Sequence, residues 1–534
     1  MGIEEVIIIL YILEEDNLDI TKAPFNMKIL FFFTAHPRLE MIMKIQSEIL
    51  MKHVLNKDDI YIVNDVDSNI VKSQLSYLSI KSNLYYYKCI FDKIVYTLRN
   101  KGGNITILDY NHFKDLEVQH FKTVEDLKNY SYKGYNLGTC VASSIITFLR
   151  EHKLNTEKYN YKINRELKNS IDVLETIKNY HEVISPDIVY IFNGRMSVSA
   201  PVISYCEKNN LNYNIFEFSF SFDKYHSLKN HTPFDRDYQY KEIVNLWNNE
   251  SIPLDEKQKI GSAFFENQRG GISTVEQSYI GLQNKELDSK LLQGKEVITF
   301  FNSSIDEFAS VPGWEDYIYL FEDETKAIEE ICLHYVSDES RIFILRIHPN
   351  LKFINNTQNR ELLKLKTLKN LIIIEAHSPI RSYSLLDASD KIITFGSTIG
   401  VEACYYGKPV ICLGLSFYEH LDVSYIPKTK EELYSYIDNK NLQAKPKENA
   451  LPYGYWFNSF GEPYTNFLNK EIKEEDYQLN RKQKQIGILL KIADTSNYKR
   501  ILKIFNPKKN IVKKLKDPSF RKNLFRDFMP WKIK

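Results

Sequence analysis

The chain has 534 residues, 43% of them apolar, and a formal net charge of +1. That length exceeds what one hydrophobic core serves and points to two domains. The near-neutral balance excludes a global electrostatic pull toward nucleic acid, so no nucleic-acid partner is expected.

Residues 1–26 read as an N-terminal extension unrelated to the α/β pattern that starts at residue 27. The apolar run Val6–Leu13 is flanked by Glu4, Glu5, Glu14, Glu15 and Asp16, where a signal peptide requires a basic flank. KILFFF begins directly after Met27, which makes Met27 a candidate natural start. Short β-rich runs then alternate with helical stretches. The first set is Lys28–Phe33, Ile60–Val63, Ile105–Leu108, Ile188–Phe192 and Tyr213–Phe216. The second is Val297–Phe301, Ile342–Arg346, Leu371–Ile374, Lys391–Phe395 and Val410–Leu413. Most are continuous apolar runs, the pattern of parallel strands covered on both faces. The fold class is therefore α/β, with two doubly wound Rossmann-like domains facing a cleft. The predicted division is an N-terminal domain over 27–282 with a helical insertion at about 110–185, a polar linker over 283–295, a C-terminal domain over 296–440, and C-terminal helices over 441–498.

The last stretch, 499–534, carries 13 Lys/Arg against Asp517 and Asp527, with apolar residues from Ile501 to Trp531 interleaved. A basic amphipathic tail suits an anionic membrane surface, or packs as a solvated tail on the body. No apolar run reaches the length of a membrane span. The six cysteines form no CxxC pair, which argues against a zinc site or a disulfide framework and suggests a reducing cytosol.

In an open parallel sheet, ligands bind beyond the carboxyl ends of the strands. After the first strand comes His36-Pro37-Arg38-Leu39-Glu40. Asn193-Gly194-Arg195 follows Ile188–Phe192, and Glu217 follows Tyr213–Phe216. His36, Glu40 and Glu217 are candidate catalytic bases, with salt-bridge or capping roles as alternatives. Asn193 and Arg195 are candidate acceptor or cleft residues. Asp65-Val66-Asp67 reads as a turn, not as a metal site. In the second half, Ser303 and Ser304 either cap a helix or hold an anion. Arg346 and His348 alternate along a strand exit and so share a face, where both can donate to phosphate. Gly396-Ser397-Thr398 opens a helix, with Glu402 one turn beyond Thr398. There Ser397 and Thr398 suit a phosphate and Glu402 a ribose; plain N-capping with an exposed glutamate is the alternative.

Ser303-Ser304, Arg346-Ile347-His348-Pro349, Gly396-Ser397-Thr398, Glu402-Ala403 and Gly407-Lys408-Pro409-Val410 together resemble the second domain of GT-B glycosyltransferases. They are most similar to the bacterial capsule and surface-polysaccharide biosynthesis proteins. The resemblance spans roughly Val297–Glu432 and is looser in the first domain. It implies a nucleotide-activated sugar as co-substrate, a glycan or lipid-linked acceptor, and no resident cofactor or metal. It places His348, Ser397 and Thr398 on donor phosphates and Glu402 on the ribose. The cysteine pattern and the basic tail together lead to the expectation of a cytoplasmic protein, peripheral at the inner face of the membrane through 499–534. Related readings are a polyol-phosphate transferase, a non-catalytic scaffold, and a UDP-sugar 2-epimerase with a similar Glu-Ala-x-x-x-Gly-Lys-Pro element. The long insertion and basic tail disfavour the epimerase.

Overall fold

The computed structural model describes residues 26–64, 68–74, 80–112, 116–272, 283–287, 292, 294–314 and 317–494. The expectations for residues 1–25, for Asp65–Asp67 and for 499–534 lie outside the described residues. Two sheets organise the chain. The first contains β1 (Lys28–Phe32), β2 (Asp59–Val63) and β3 (Asn104–Leu108). After a hairpin of β4 (Ser131–Tyr132) and β5 (Tyr135–Asn136), it continues with β6 (Ile188–Phe192), β7 (Tyr213–Phe218) and β8 (Lys224–Lys229). The second contains β9 (Glu296–Phe301), β10 (Arg341–Arg346), β11 (Leu371–Ile374), β12 (Lys391–Thr394) and β13 (Val410–Cys412). A late strand, β14 (Glu462–Pro463), returns to the first sheet.

The strand orders are β14-β8-β7-β6-β1-β2-β3 and β11-β10-β9-β12-β13. In each, the first strand of the set lies centrally and the chain winds outward in both directions, the doubly wound arrangement. The second sheet is parallel throughout. In the first, β8 and β14 run antiparallel at one edge. Period-two geometry explains the continuous apolar runs. Phe31 and Phe33 enter the cluster beneath the helices Leu39–Leu55 and Ile80–Asn100, while Leu30 and Phe32 enter the cluster on the other face. The second sheet divides likewise, with Ile298 and Phe300 on one face and Val297 and Phe301 on the other.

Between β3 and β6 stand the helices Gly138–Leu149 and Asn160–Ile184. Arg150, just past the first of these, adopts left-handed backbone (φ 56°) and reaches the second domain. There its Nε pairs with Asp306 Oδ2 at 2.5 Å and its Nη2 donates to Ser304 Oγ at 3.1 Å. An apolar cluster also joins the domains, combining Val401, Cys404 and Tyr418 with Phe265 and Trp456.

The segment after the second sheet crosses back to the first domain. Its helix Leu451–Ser459 packs on the helix Leu254–Gly270, and glycine at the crossing is a geometric need. A Cβ on Gly454 would lie 2.3 Å from Gly261 O, and one on Gly261 would lie 2.7 Å from Leu451 O. Farther on, buried Glu48 accepts from the backbone N–H of Asn466 (2.8 Å) and of Phe467 (3.3 Å), pinning the returning chain. Among the described residues no helix is long and apolar enough to cross a membrane.

Candidate active site

At the carboxyl ends of β1, β6 and β7 the first domain opens a cavity of about 600 Å³. His36, Asn193 and Glu217 all line it. Asn193 (φ 64°) and Gly194 (φ 82°) turn the chain sharply after β6. The second position requires glycine, since a Cβ there would meet Ile203 Cδ1 at 2.4 Å. The turn aims Asn193 Nδ2 at Glu217 Oε2, 2.5 Å away, while the Phe218 N–H donates to Oε1 at 2.8 Å. Burial pushes the Glu217 carboxyl up to about 7, against the pull of these two donors and of Arg38.

His36 sits edge-on to Phe192 and Phe218, with ring centroids 5.4 and 5.1 Å apart. Its Nδ1 accepts from the Arg38 N–H at 3.0 Å, and burial lowers its pKa to about 4. With Nδ1 so occupied, the neutral ring carries its proton on Nε2 and presents a donor. Glu40 is exposed and stands apart from this group. It lines a second cavity of about 270 Å³, with Lys44, Tyr464 and Tyr477, and Phe218 borders both cavities.

Arg195 lies in the cleft, but as a tie between the domains and not as an acceptor contact. Its Nε donates to Ser143 Oγ (2.6 Å) and its Nη2 to Thr147 Oγ1 (2.9 Å), while Nη1 crosses to Glu307 O (2.9 Å). Burial lowers its pKa to about 10, so it remains a cation at neutral pH.

The second domain corrects several expectations. Ser303 is buried, its N–H donating to the Glu324 carboxyl and its hydroxyl to Phe395 O at 3.0 Å. Burial raises Glu324 to about 8, so the loop is held by a largely protonated acid. The Ser304 hydroxyl is bonded to Asp306 (2.7 Å) and Arg150. Neither serine caps the short 3-10 turn Ile305–Glu307 through its side chain. Arg346 is buried too, with Nη1 on Glu375 O at 2.8 Å, a contact that holds the turn after β11 in place of a phosphate. Glu402 is only 7% exposed and accepts from the Tyr383 hydroxyl, so the carboxylate has an internal partner where a ribose was expected. Its pKa is raised by burial.

The remaining groups sit at the strand ends. His348 is half-buried; its N–H donates to Asn302 Oδ1 (2.8 Å) and its Nδ1 accepts from the Asn350 N–H (3.2 Å). Burial, then Arg346 and Arg150, lower its pKa to about 4 and keep it neutral. Gly396 (φ 90°) passes so close to the next loop that a Cβ would lie 2.1 Å from Leu415 O. That contact sets Ser397 and exposed Thr398 at the start of the helix Ile399–Tyr405, and Tyr418 OH locks Ser397 O at 2.6 Å.

Sequence reasoning passed over Arg150 and the cavity-lining Lys162 and Arg165. The last two stand three apart in the helix Asn160–Ile184, a spacing that ordinary solvent-facing helices also show.

A search of curated proteins found no match. Among solved structures, similarity is found to the β-Kdo 2,4 transferase of Thermosulfurimonas dismutans KpsC, at 13% identity and TM-score 0.33, covering 54% of this chain and 88% of that one. The S. aureus MnaA–UDP structure is similar at 11% identity and TM-score 0.30, covering 84% and 98%. The Methanocaldococcus jannaschii UDP-GlcNAc 2-epimerase is similar at 13% identity and TM-score 0.27, covering 80% and 98%. Residues 320–435, which include β10 to β13 and the Gly396–Glu402 element, match the family model described as capsule polysaccharide biosynthesis protein. Within a chain of two Rossmann-like domains, residues 320–435 thus resemble the capsule polysaccharide biosynthesis proteins.

Proposed function

We propose that the protein is a glycosyltransferase of surface-polysaccharide assembly, with a nucleotide-activated sugar on the second domain and a glycan acceptor in the first-domain cavity. One observation carries the reading: Glu217 is held by Asn193 and by the Phe218 N–H in a cavity, with its carboxyl raised to about 7. A carboxylate tuned to neutral pH suits removal of a proton from a sugar hydroxyl as it attacks. The family match over residues 320–435 supports the polysaccharide context.

On the donor side, Ser397 and Thr398 with the adjoining backbone N–H groups are the proposed phosphate seat, and neutral His348 a further contact. These protein groups stabilise the leaving phosphate without a resident metal, so transfer is expected to survive EDTA. The reaction is placed at the cytoplasmic face, with 499–534 as the contact to an anionic membrane and a lipid-linked glycan as one acceptor. Deleting 499–534 is expected to reduce co-sedimentation with anionic vesicles, and unchanged binding removes the membrane contact.

A thermal-shift screen against CMP-, CDP-, UDP-, GDP- and dTDP-activated compounds tests the donor site, because a ligand that binds only the folded state raises Tm. At least one is expected to shift the wild type, and less so the Ser397→Ala/Thr398→Ala variant. No shift with any of them favours a scaffold. A CDP-polyol response favours polyol-phosphate transfer. Isomerised nucleotide sugar formed without acceptor would establish a 2-epimerase instead.

A further inference from the structure

The first-domain cavity is lined by two cations, Lys162 and Arg165, that share one carboxylate, Glu166. Lys162 and Arg165 both face into it from the helix Asn160–Ile184. The Lys162 ammonium rests 3.8 Å from the centre of the Phe148 ring, in place of a carboxylate. Burial, then the neighbouring Arg165, push its pKa down, while Glu166 acts in the opposite direction. Arg165 Nη2 donates to Glu166 Oε1 at 3.1 Å, but its Nε is buried without a partner. Glu166 is shared between the two cations, and its Oε2 also accepts from Ser197 Oγ (2.8 Å) and Asn169 Nδ2 (3.3 Å). A third cation, Arg38, lines the same cavity with its guanidinium 5.5 Å from the centre of the Phe218 ring.

The Arg165 side chain is 39% exposed and Lys162 is half-buried, so both remain open to an anion that enters the cavity. Guanidinium and ammonium groups at the wall of a small-molecule cavity pair well with carboxylate or phosphate oxygens. The volume of about 600 Å³ falls within the range of sites that enclose such ligands. We propose that Lys162 and Arg165 seat a negative charge carried by the acceptor sugar itself, a ring carboxylate or phosphate, leaving Glu217 to serve a hydroxyl of the acceptor. That the ligand is the acceptor rests on the transferase reading above; that the seat takes an anionic sugar does not.

The test is calorimetric titration of the full chain, without nucleotide, by glucuronate, glucose 6-phosphate and glucose at matched ionic strength. At least one charged sugar is expected to bind roughly tenfold or more tightly than glucose, the worth of one charge-assisted hydrogen bond. Preference for glucuronate identifies a carboxylate, and preference for glucose 6-phosphate a phosphate. Lys162→Met keeps the stem on Phe148 and is expected to erase most of the preference, and Lys162→Arg to restore it. Equal binding of all three sugars overturns the proposal, as does a preference that survives Lys162→Met in a variant with native Tm. If Lys162→Met fails to fold, the three-sugar comparison on the wild type decides alone. Nucleotide-induced Tm shifts on the same sample separate the two readings. A shift without charged-sugar preference overturns the anion seat and leaves the transferase; the preference without any shift does the reverse.

Discussion

Replacing Glu217 by glutamine removes one titrating carboxyl while keeping its shape and its bond to the Phe218 N–H. In the folded protein this carboxyl titrates at about 7, against an ordinary 4.5, because burial outweighs the help of Asn193, the Phe218 N–H and Arg38. A base with that pKa is about half ionised at pH 7 and only about a tenth ionised at pH 6, so transfer is expected to climb through this interval. Glu217→Gln is expected to lower kcat by roughly 10²- to 10⁴-fold and to remove that limb. Stability moves the other way. A carboxyl whose folded pKa is raised binds protons more tightly when folded, so its contribution is complete below 4.5 and is lost as pH rises through about 7. Wild-type Tm is therefore expected to decline across this window more than that of Glu217→Gln. Carboxyl ¹³C NMR of glutamate-labelled protein reads the group directly and needs no substrate. One resonance titrating near 7 should vanish in the variant, while Glu307, also raised to about 7, persists in both spectra. If the resonance lost in Glu217→Gln titrates near 4.5 in the wild type, the reasoning fails.

Other perturbations probe how the site is held. Arg150→Ala leaves Asp306, 2% exposed, without its cation and is expected to cost about 3–5 kcal/mol in urea denaturation; a loss below about 1 kcal/mol would show the pair to be idle. Gly454→Ala should gain about 1 kcal/mol of helix propensity and still destabilise, because the new Cβ meets Gly261 O. Its Tm is expected to fall, and an unchanged Tm would mean that the two helices can separate. Gly396→Ala combines left-handed backbone with a collision at Leu415 O, so a loss of at least about 2 kcal/mol is expected. Nucleotide-induced stabilisation should fall with it; a variant as stable as the wild type would show that the loop can reroute.

Much of the architecture could be read in advance because strands covered on both faces must be apolar at every position. All ten runs predicted as strands, from KILFFF to VICL, became strands within one or two residues at each end. β8 (KYHSLK) escaped notice because an antiparallel edge strand tolerates Lys224, Ser227 and Lys229, and β14 because it is two residues long and contains Pro463. Winding order also places the loops after β1, β6, β7, β10 and β12 at carboxyl edges, and so brings His36, Asn193 and Glu217 to one edge of the first sheet. The chemical state of each polar group could not be read in this way, because it depends on a partner distant in the chain. Ser303 is engaged by Glu324, Ser304 by Arg150, Arg346 by Glu375 O and Glu402 by Tyr383. Lys162 and Arg165 looked like any solvated helical face until the fold set them against Phe148 and the Glu217 cavity. The sequence by itself therefore determined the two sheets and their ligand-binding edges, through apolar periodicity and chain direction. Only the tertiary structure decided which polar groups at those edges remain available, because hydrogen-bond capacity is finite and each donor is claimed by whichever acceptor the fold brings within about 3 Å.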